Sequence, residues 1–259
     1  MDLISPFATY SPGLLLACAI IMALGGVIKG AVGFALPMIA VAGVGSLLSA
    51  QETVALIVLP VFLSNLWQTF RQGLAPAIAT GRRFWRLNLI MGVLIAIVAQ
   101  AVPLVSSEAL FLVLGILVST AAGVQLAGWR PRAPDGALAR QRLEILTGIV
   151  AGICGGLAGV WGPPVLFFLI ALGTEKTAQV RAQGMAFLVG SVMLIAAHLG
   201  SGLLDATILS ASALMCAPVL LGMALGVRLQ DRMNPERFRR ITLVILCLAG
   251  LNLLRRALF

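Results

Sequence analysis

Residues 155–164 read GGLAGVWGPP, four glycines and two prolines inside a stretch otherwise apolar enough to be a membrane helix. Glycine and proline are the poorest helix formers, about 1 and 3 kcal/mol less favourable than alanine in a helix interior. A continuous helix through this segment is not expected. The apolar run that follows, 163–173, has eleven residues. As a helix it would rise only ~16 Å, about half of the ~30 Å hydrocarbon layer of a bilayer. The stretch therefore predicts a broken or re-entrant half-helix in a membrane protein.

The rest of the chain agrees. Of 259 residues, 60% are hydrophobic and 10% charged, and the mean hydropathy is +1.06. Such a chain has too little polar surface for a soluble domain. Its apolar runs are unbroken rather than alternating, which excludes an outer-membrane barrel. They lie near 12–28, 31–48, 53–70, 86–105, 108–127, 144–160, 163–173, 183–200, 206–227 and 240–257. We expect an all-α integral membrane protein with about 8 transmembrane segments, plus broken or re-entrant half-helices near 31–48 and 163–173. The N-terminal MDLISPFATYSPG lacks a basic n-region, so the first apolar segment is expected to remain in the mature protein.

The net charge of +9 is placed as membrane topology requires. Arg71, Arg82, Arg83 and Arg86 fall together, as do Arg130, Arg132, Arg140 and Arg142. Lys176 and Arg181 form a third group, and Arg228, Arg232, Arg237, Arg239 and Arg240 a fourth. By the positive-inside rule these regions are cytoplasmic, and Asp2, Glu52, Glu108 and Asp205 mark the outer side. Arg255 and Arg256 fall on the outer side against the rule. The basic charge is thus explained without nucleic acid. Multi-pass insertion in the cytoplasmic (inner) membrane of a bacterium is expected, with lipid as the surrounding partner.

A weak internal repeat runs through the chain. GAVGFALP (30–37) resembles GVWGPPVL (159–166), pairing Gly30 with Gly159 and Gly33 with Gly162, and AAGVQL (121–126) resembles LAGLNL (248–253). The matching segments 53–70 and 183–200 run in opposite directions by the charge rule. Opposed repeats are a plan of secondary transporters. The expected units are a first transmembrane repeat at 1–127, a cytoplasmic basic loop at 128–143 and a second repeat at 144–259.

GGVIKGAVGFALPMIAVAG (25–43) and GICGGLAGVWGPPVLFFLIALG (152–173) resemble the paired signatures of the sulfite exporter TauE/SafE family. The similarity spans essentially the whole chain. It implies transport of small sulfur-containing anions, such as sulfite or organosulfonates, across the cytoplasmic membrane.

An anion leaving water needs fixed donors. Free N–H groups at a helix start, with the helix dipole behind them, supply such donors. Glycine lets backbone approach an oxyanion, and proline in a first turn loses no needed N–H. Gly33 and Pro37 in the first half, with Gly159, Trp161, Gly162, Pro163 and Pro164 in the second, match that scheme, as does Gly30. The same glycines could serve helix packing. Lys29 is the only basic residue in the first apolar block and either faces the anion path or snorkels at a hairpin tip between 12–28 and 31–48. Asn65 is a mid-membrane donor to an anion or to another helix. Arg181 guards the site or anchors its segment, and Trp161 walls the pocket or packs. His198, the only histidine, is a candidate for proton coupling or a polar helix end. Capping accounts for Glu52 and Glu108.

No nucleotide-binding loop, nucleophile–base pair or metal-ligand spacing is present, so neither an enzyme nor a cofactor or metal is expected. Cys18, Cys154, Cys216 and Cys247 read as small hydrophobes. The competing functions are a transmembrane thiol-redox carrier using Cys18 and Cys154, and a channel or permease subunit of a larger complex. A homodimer is a further expectation.

Overall fold

The computed structural model describes residues 10–129, 132, 134–200, 206–230 and 235–258. Among them the chain forms eleven α-helices and no strand. Helix α1 (Pro12–Val32) opens on Ser11, whose hydroxyl accepts from the Leu14 N–H at 3.3 Å. It ends on Gly33 in the left-handed region (φ 85°), whose N–H donates to the Lys29 carbonyl at 2.7 Å. The chain turns at once into α2 (Leu36–Val44), then into α3 (Ala50–Phe70). Helix α3 starts with a capping box. The Ser49 hydroxyl accepts from Glu52 N at 3.3 Å, and Ser49 N donates back to the Glu52 carboxylate at 3.1 Å. Glu52 is thus the cap expected of it.

Helices α4 (Leu74–Arg83) and α5 (Trp85–Val98) follow, and α5 tightens into a 3-10 turn at Ala99–Leu104 before α6 (Ser107–Leu126). The second half holds α7 (Ala137–Ala158), α8 (Gly162–Ala171), α9 (Lys176–Gly200), α10 (Ala206–Gln230) and α11 (Pro235–Leu258). Helices α2 and α8 have nine and ten residues, so each rises about half of a ~30 Å hydrocarbon layer. Both half-helices stand where their glycine and proline content placed them. Among the described residues the protein is all-helical, and six stretches, α1, α3, α5 with its 3-10 turn, α6, α9 and α10, are long and apolar enough to cross a membrane.

Several boundaries differ from expectation. Helix α1 does not stop at residue 28 but runs through Lys29 to Val32. The half-helix α2 is correspondingly narrower than 31–48. Arg82 and Arg83 lie in the last turn of α4, where they offset the helix dipole, and Arg86 is already in α5. The 128–143 segment is not all loop, because α7 begins at Ala137 and carries Arg140 and Arg142. Within α7 Glu144 is buried, 8% exposed. Its Oε1 accepts the Leu87 N–H at 3.2 Å and so caps α5, whose own Phe84 offers no side-chain cap.

Helix α1 packs along α10, α5 along α7, α6 along α11, and α3 against both α9 and α10. The α1–α10 seam is made of backbone. A Cβ on Gly26 or Gly30 would collide with the carbonyl of Val219 or Met223, and one on Gly222 or Gly226 with the carbonyl of Ala23 or Val27. The two small-xxx-small pairs thus lock face to face, the membrane solution where apolar burial drives nothing. Gly152 and Gly156 of α7 pack likewise on Leu94 and Val98 of α5.

Pro60 interrupts the ladder of α3, leaving the Leu56 carbonyl without its i+4 donor. Ser212 of α10 repairs this. Its hydroxyl donates to Leu56 O at 2.7 Å and accepts from Leu59 N at 3.2 Å.

Candidate functional site

The two breaks are built alike but not identically. Gly33 caps α1 and Gly159 caps α7, each left-handed, with φ 85° and 64°. Both glycines carry the cap's N–H back to the carbonyl four residues earlier. Pro37 and Pro163 each fall at the second position of the helix that follows, α2 and α8. The caps therefore pair Gly33 with Gly159 and Pro37 with Pro163, three residues out of the register expected from GAVGFALP and GVWGPPVL. The same shift sets Gly26 and Gly30 against Gly152 and Gly156. In the first break Ala35 also takes the left-handed region (φ 82°), a position that costs a non-glycine residue about 1–2 kcal/mol.

Both breaks reach one narrow void. Phe34, Ala35, Pro37 and Met38 line it from the first, Val160, Trp161 and Gly162 from the second, and Phe187 of α9 closes it. About 10 Å³ is open, the room of roughly one water molecule, so the described state is shut around the breaks. The walls are mostly apolar. Donors are few at α8, since Pro163 and Pro164 have no N–H. The second break thus offers an anion little beyond the N–H groups nearest Gly162.

The strongest donor lies beside the first break. Lys29 is 1% exposed, inside the bundle rather than at a hairpin tip, so the snorkelling alternative is set aside. Its ammonium donates to Ser64 Oγ at 2.9 Å and to Asn65 Oδ1, and stands 6.0 Å from the Phe187 ring centroid. Asn65 in turn donates from Nδ2 to the Phe187 carbonyl at 3.0 Å, and Ser64 donates to the Val61 carbonyl at 2.9 Å. Two of the three ammonium protons are thereby placed on neutral acceptors. No carboxylate pairs with Lys29 among the described residues.

One helical turn along, a second polar layer crosses the same three helices. Gln68, one turn beyond Ser64, donates from Nε2 to the Gly33 carbonyl at 2.9 Å and to the Val180 carbonyl at 3.0 Å. Those two acceptors fix which end of the amide is nitrogen. Gln68 Oε1 is then left without a partner, and Gln183 Nε2 of α9 has none either. Both residues are buried, 5% and 1% exposed. Gln183 borders the break, its Oε1 lying 3.8 Å from where a Cβ on Gly33 would be.

The remaining candidates divide. Trp161 is buried in the void wall, its ring edge-on to Phe187 at 6.4 Å and over Gly190. Gly30 faces α10 rather than the void. Arg181 is drawn away, donating to Thr80 Oγ1 at 2.8 Å and to Gln72 Oε1 at 2.6 Å, which ties α9 to α4. The side chain of His198 lies outside the described residues. All four cysteines are free thiols. Sequence reading passed over Ser64, Gln68, Gln183 and Phe187. The first two shared a signal with Asn65, polar residues clustered with Thr69 after the apolar run 54–63.

The model of the sulfite exporter TauE/SafE family matches residues 18–253, and the chain belongs to that family. No curated protein and no solved structure matches it.

Proposed function

We propose that this member of the TauE/SafE family is a secondary transporter of small sulfur-containing anions, sulfite or organosulfonates, working in the cytoplasmic membrane of a bacterium. The anion is held beside Lys29, between the two glycine and proline breaks. The observation that carries this reading is a buried ammonium ion with neutral partners only. Charge inside a membrane protein is costly, at least about 2.5 kcal/mol on insertion scales, and is kept where it serves a substrate path. A passing anion supplies the missing countercharge, while the N–H groups at the starts of α2 and α8 and the glycine backbone replace part of its water.

Two-fold related halves of opposite orientation would let the site open to each side in turn. The packing supports that plan. Exchanging α1, α3, α5 and α6 with α7, α9, α10 and α11 turns the α1–α10 seam into α7–α5 and leaves the α3–α9 and α6–α11 pairs in place. In this register Cys18 falls opposite Glu144 rather than Cys154, which gives the thiol-redox reading no paired thiols. Nothing in the proposed cycle requires a second copy of the chain, because every residue of the site comes from one protomer.

Counterflow in vesicles holding the purified protein tests the proposal. Labelled sulfite or a short alkylsulfonate should accumulate transiently against unlabelled anion inside, and Lys29→Gln should abolish the effect. Uptake without trans-stimulation would indicate a channel instead. Undiminished counterflow in Lys29→Gln would remove Lys29 from the site.

A further inference from the structure

The polar layer one turn from Lys29 is unfinished in a specific way. Gln68 presents an acceptor without a donor, and Gln183 a donor without an acceptor. Buried polar side chains are nearly always satisfied, so two orphans beside one break call for an explanation. Each of three helices contributes to both layers. α1 supplies Lys29 and Gly33, α3 supplies Ser64 with Asn65 and then Gln68, and α9 supplies Phe187 and Gln183. Successive layers on a helix are ~5.4 Å apart. The ammonium and the orphaned amides therefore lie on two successive levels of the same three helices.

We infer that Gln68 and Gln183 form a tail subsite, and that the substrate is a short organic anion with a hydroxyl group set about one helical turn from its charged head. The inference rests on the proposed anion site at Lys29. The head meets Lys29. A hydroxyl donates one hydrogen bond and accepts others, so it can donate to Gln68 Oε1 while accepting from Gln183 Nε2, which neither a sulfonate oxygen nor an alkyl group can do. A bare inorganic oxyanion is too short to reach both levels, and an alkyl tail would leave both amides desolvated and unpaired. A site built to hydrogen-bond a substrate hydroxyl discriminates strongly against the analogue lacking it. Gln68 cannot turn away to pair elsewhere, because its nitrogen is held by the carbonyls of Gly33 and Val180.

The test compares 2-hydroxyethanesulfonate with ethanesulfonate, equal in charge and differing by the hydroxyl, by ligand-dependent melting of the purified full chain in detergent. The hydroxylated anion should bind more tightly by about tenfold or more, as expected when a desolvated partner pair is at stake. Gln183→Met should erase that preference while leaving ethanesulfonate affinity within about twofold, because the methyl-capped chain keeps volume but has no donor. It should also raise the melting temperature of the ligand-free protein by removing an orphaned group, an effect opposite to that of breaking a structural hydrogen bond. Equal affinity for the two anions, or an unchanged preference in Gln183→Met, overturns the subsite. In that outcome Lys29→Gln still decides the underlying anion site, since it should abolish binding of both anions. Absence of binding by either anion to the wild type overturns the subsite and the anion site together.

Discussion

The Lys29 ammonium sits 2.9 Å from the Ser64 hydroxyl in the bundle interior, a cation held by neutral oxygens where hydrophobic packing would be cheaper. Helix α1 brings the lysine and α3 the hydroxyl, 35 residues apart in sequence. Replacing Lys29 by Met keeps the stem and deletes the charge. Lys29→Met removes the buried charge but leaves Asn65 Oδ1 without its donor, so we expect its melting temperature to stay within a few degrees of wild type while anion transport is lost. Thermal melting in detergent beside vesicle flux reads both. A marked drop in melting temperature would show the lysine to be a structural element.

Ser212 and Pro60 make a repair that can be taken apart. Ser212→Ala leaves Leu56 O unpaired in the interior and should cost about 1–3 kcal/mol. Pro60→Ala restores the missing backbone donor, so the same serine substitution in that background should cost much less. A double-mutant cycle measures the difference, and strict additivity would contradict the repair.

The α1–α10 seam tolerates no side chain at Gly30, since a Cβ there would collide with the Met223 carbonyl. Gly30→Val should destabilise by about 3 kcal/mol or more, beyond the usual range of overpacking, because backbone rather than a flexible side chain must yield. Yield of folded protein by size-exclusion chromatography and the melting temperature both report it. Near-native behaviour would return Gly30 to the list of anion contacts.

Ala35 is the opposite case. Held at φ 82° at the start of α2, it should be relieved by glycine. Ala35→Gly is expected to stabilise by about 0.5–1 kcal/mol, the left-handed cost less the extra freedom of glycine in the unfolded chain. Destabilisation would mean that the methyl group, buried in the void wall, contributes more by packing than its backbone loses.

Much of the fold was legible because it follows from local chemistry. GGLAGVWGPP cannot carry a helix through its prolines, so α7 stops at the left-handed Gly159 and α8 starts at Gly162 with prolines in its first turn. Length and unbroken apolarity alone made the protein helical and membrane-spanning. The family resemblance was legible in the same residues, and the family model matches 18–253.

The site was legible only in part. Lys29, Asn65 and Trp161 stand beside the breaks, but Gly30 and Arg181 do not, and nothing local distinguishes them. A glycine three residues before the break looks like one at the break until α10 is packed against it. Arg181 looks like a gate until Thr80 and Gln72, about a hundred residues earlier, take its guanidinium.

What the amino-acid sequence determined by itself was where helices must end, because backbone freedom and missing N–H groups act within a few residues. Tertiary structure alone decided which polar groups are left unpaired. Gln68 and Gln183 are ordinary glutamines in their own helices. They become an orphaned acceptor and an orphaned donor only when α1, α3 and α9 close around them, excluding water, and fix one amide against two carbonyls.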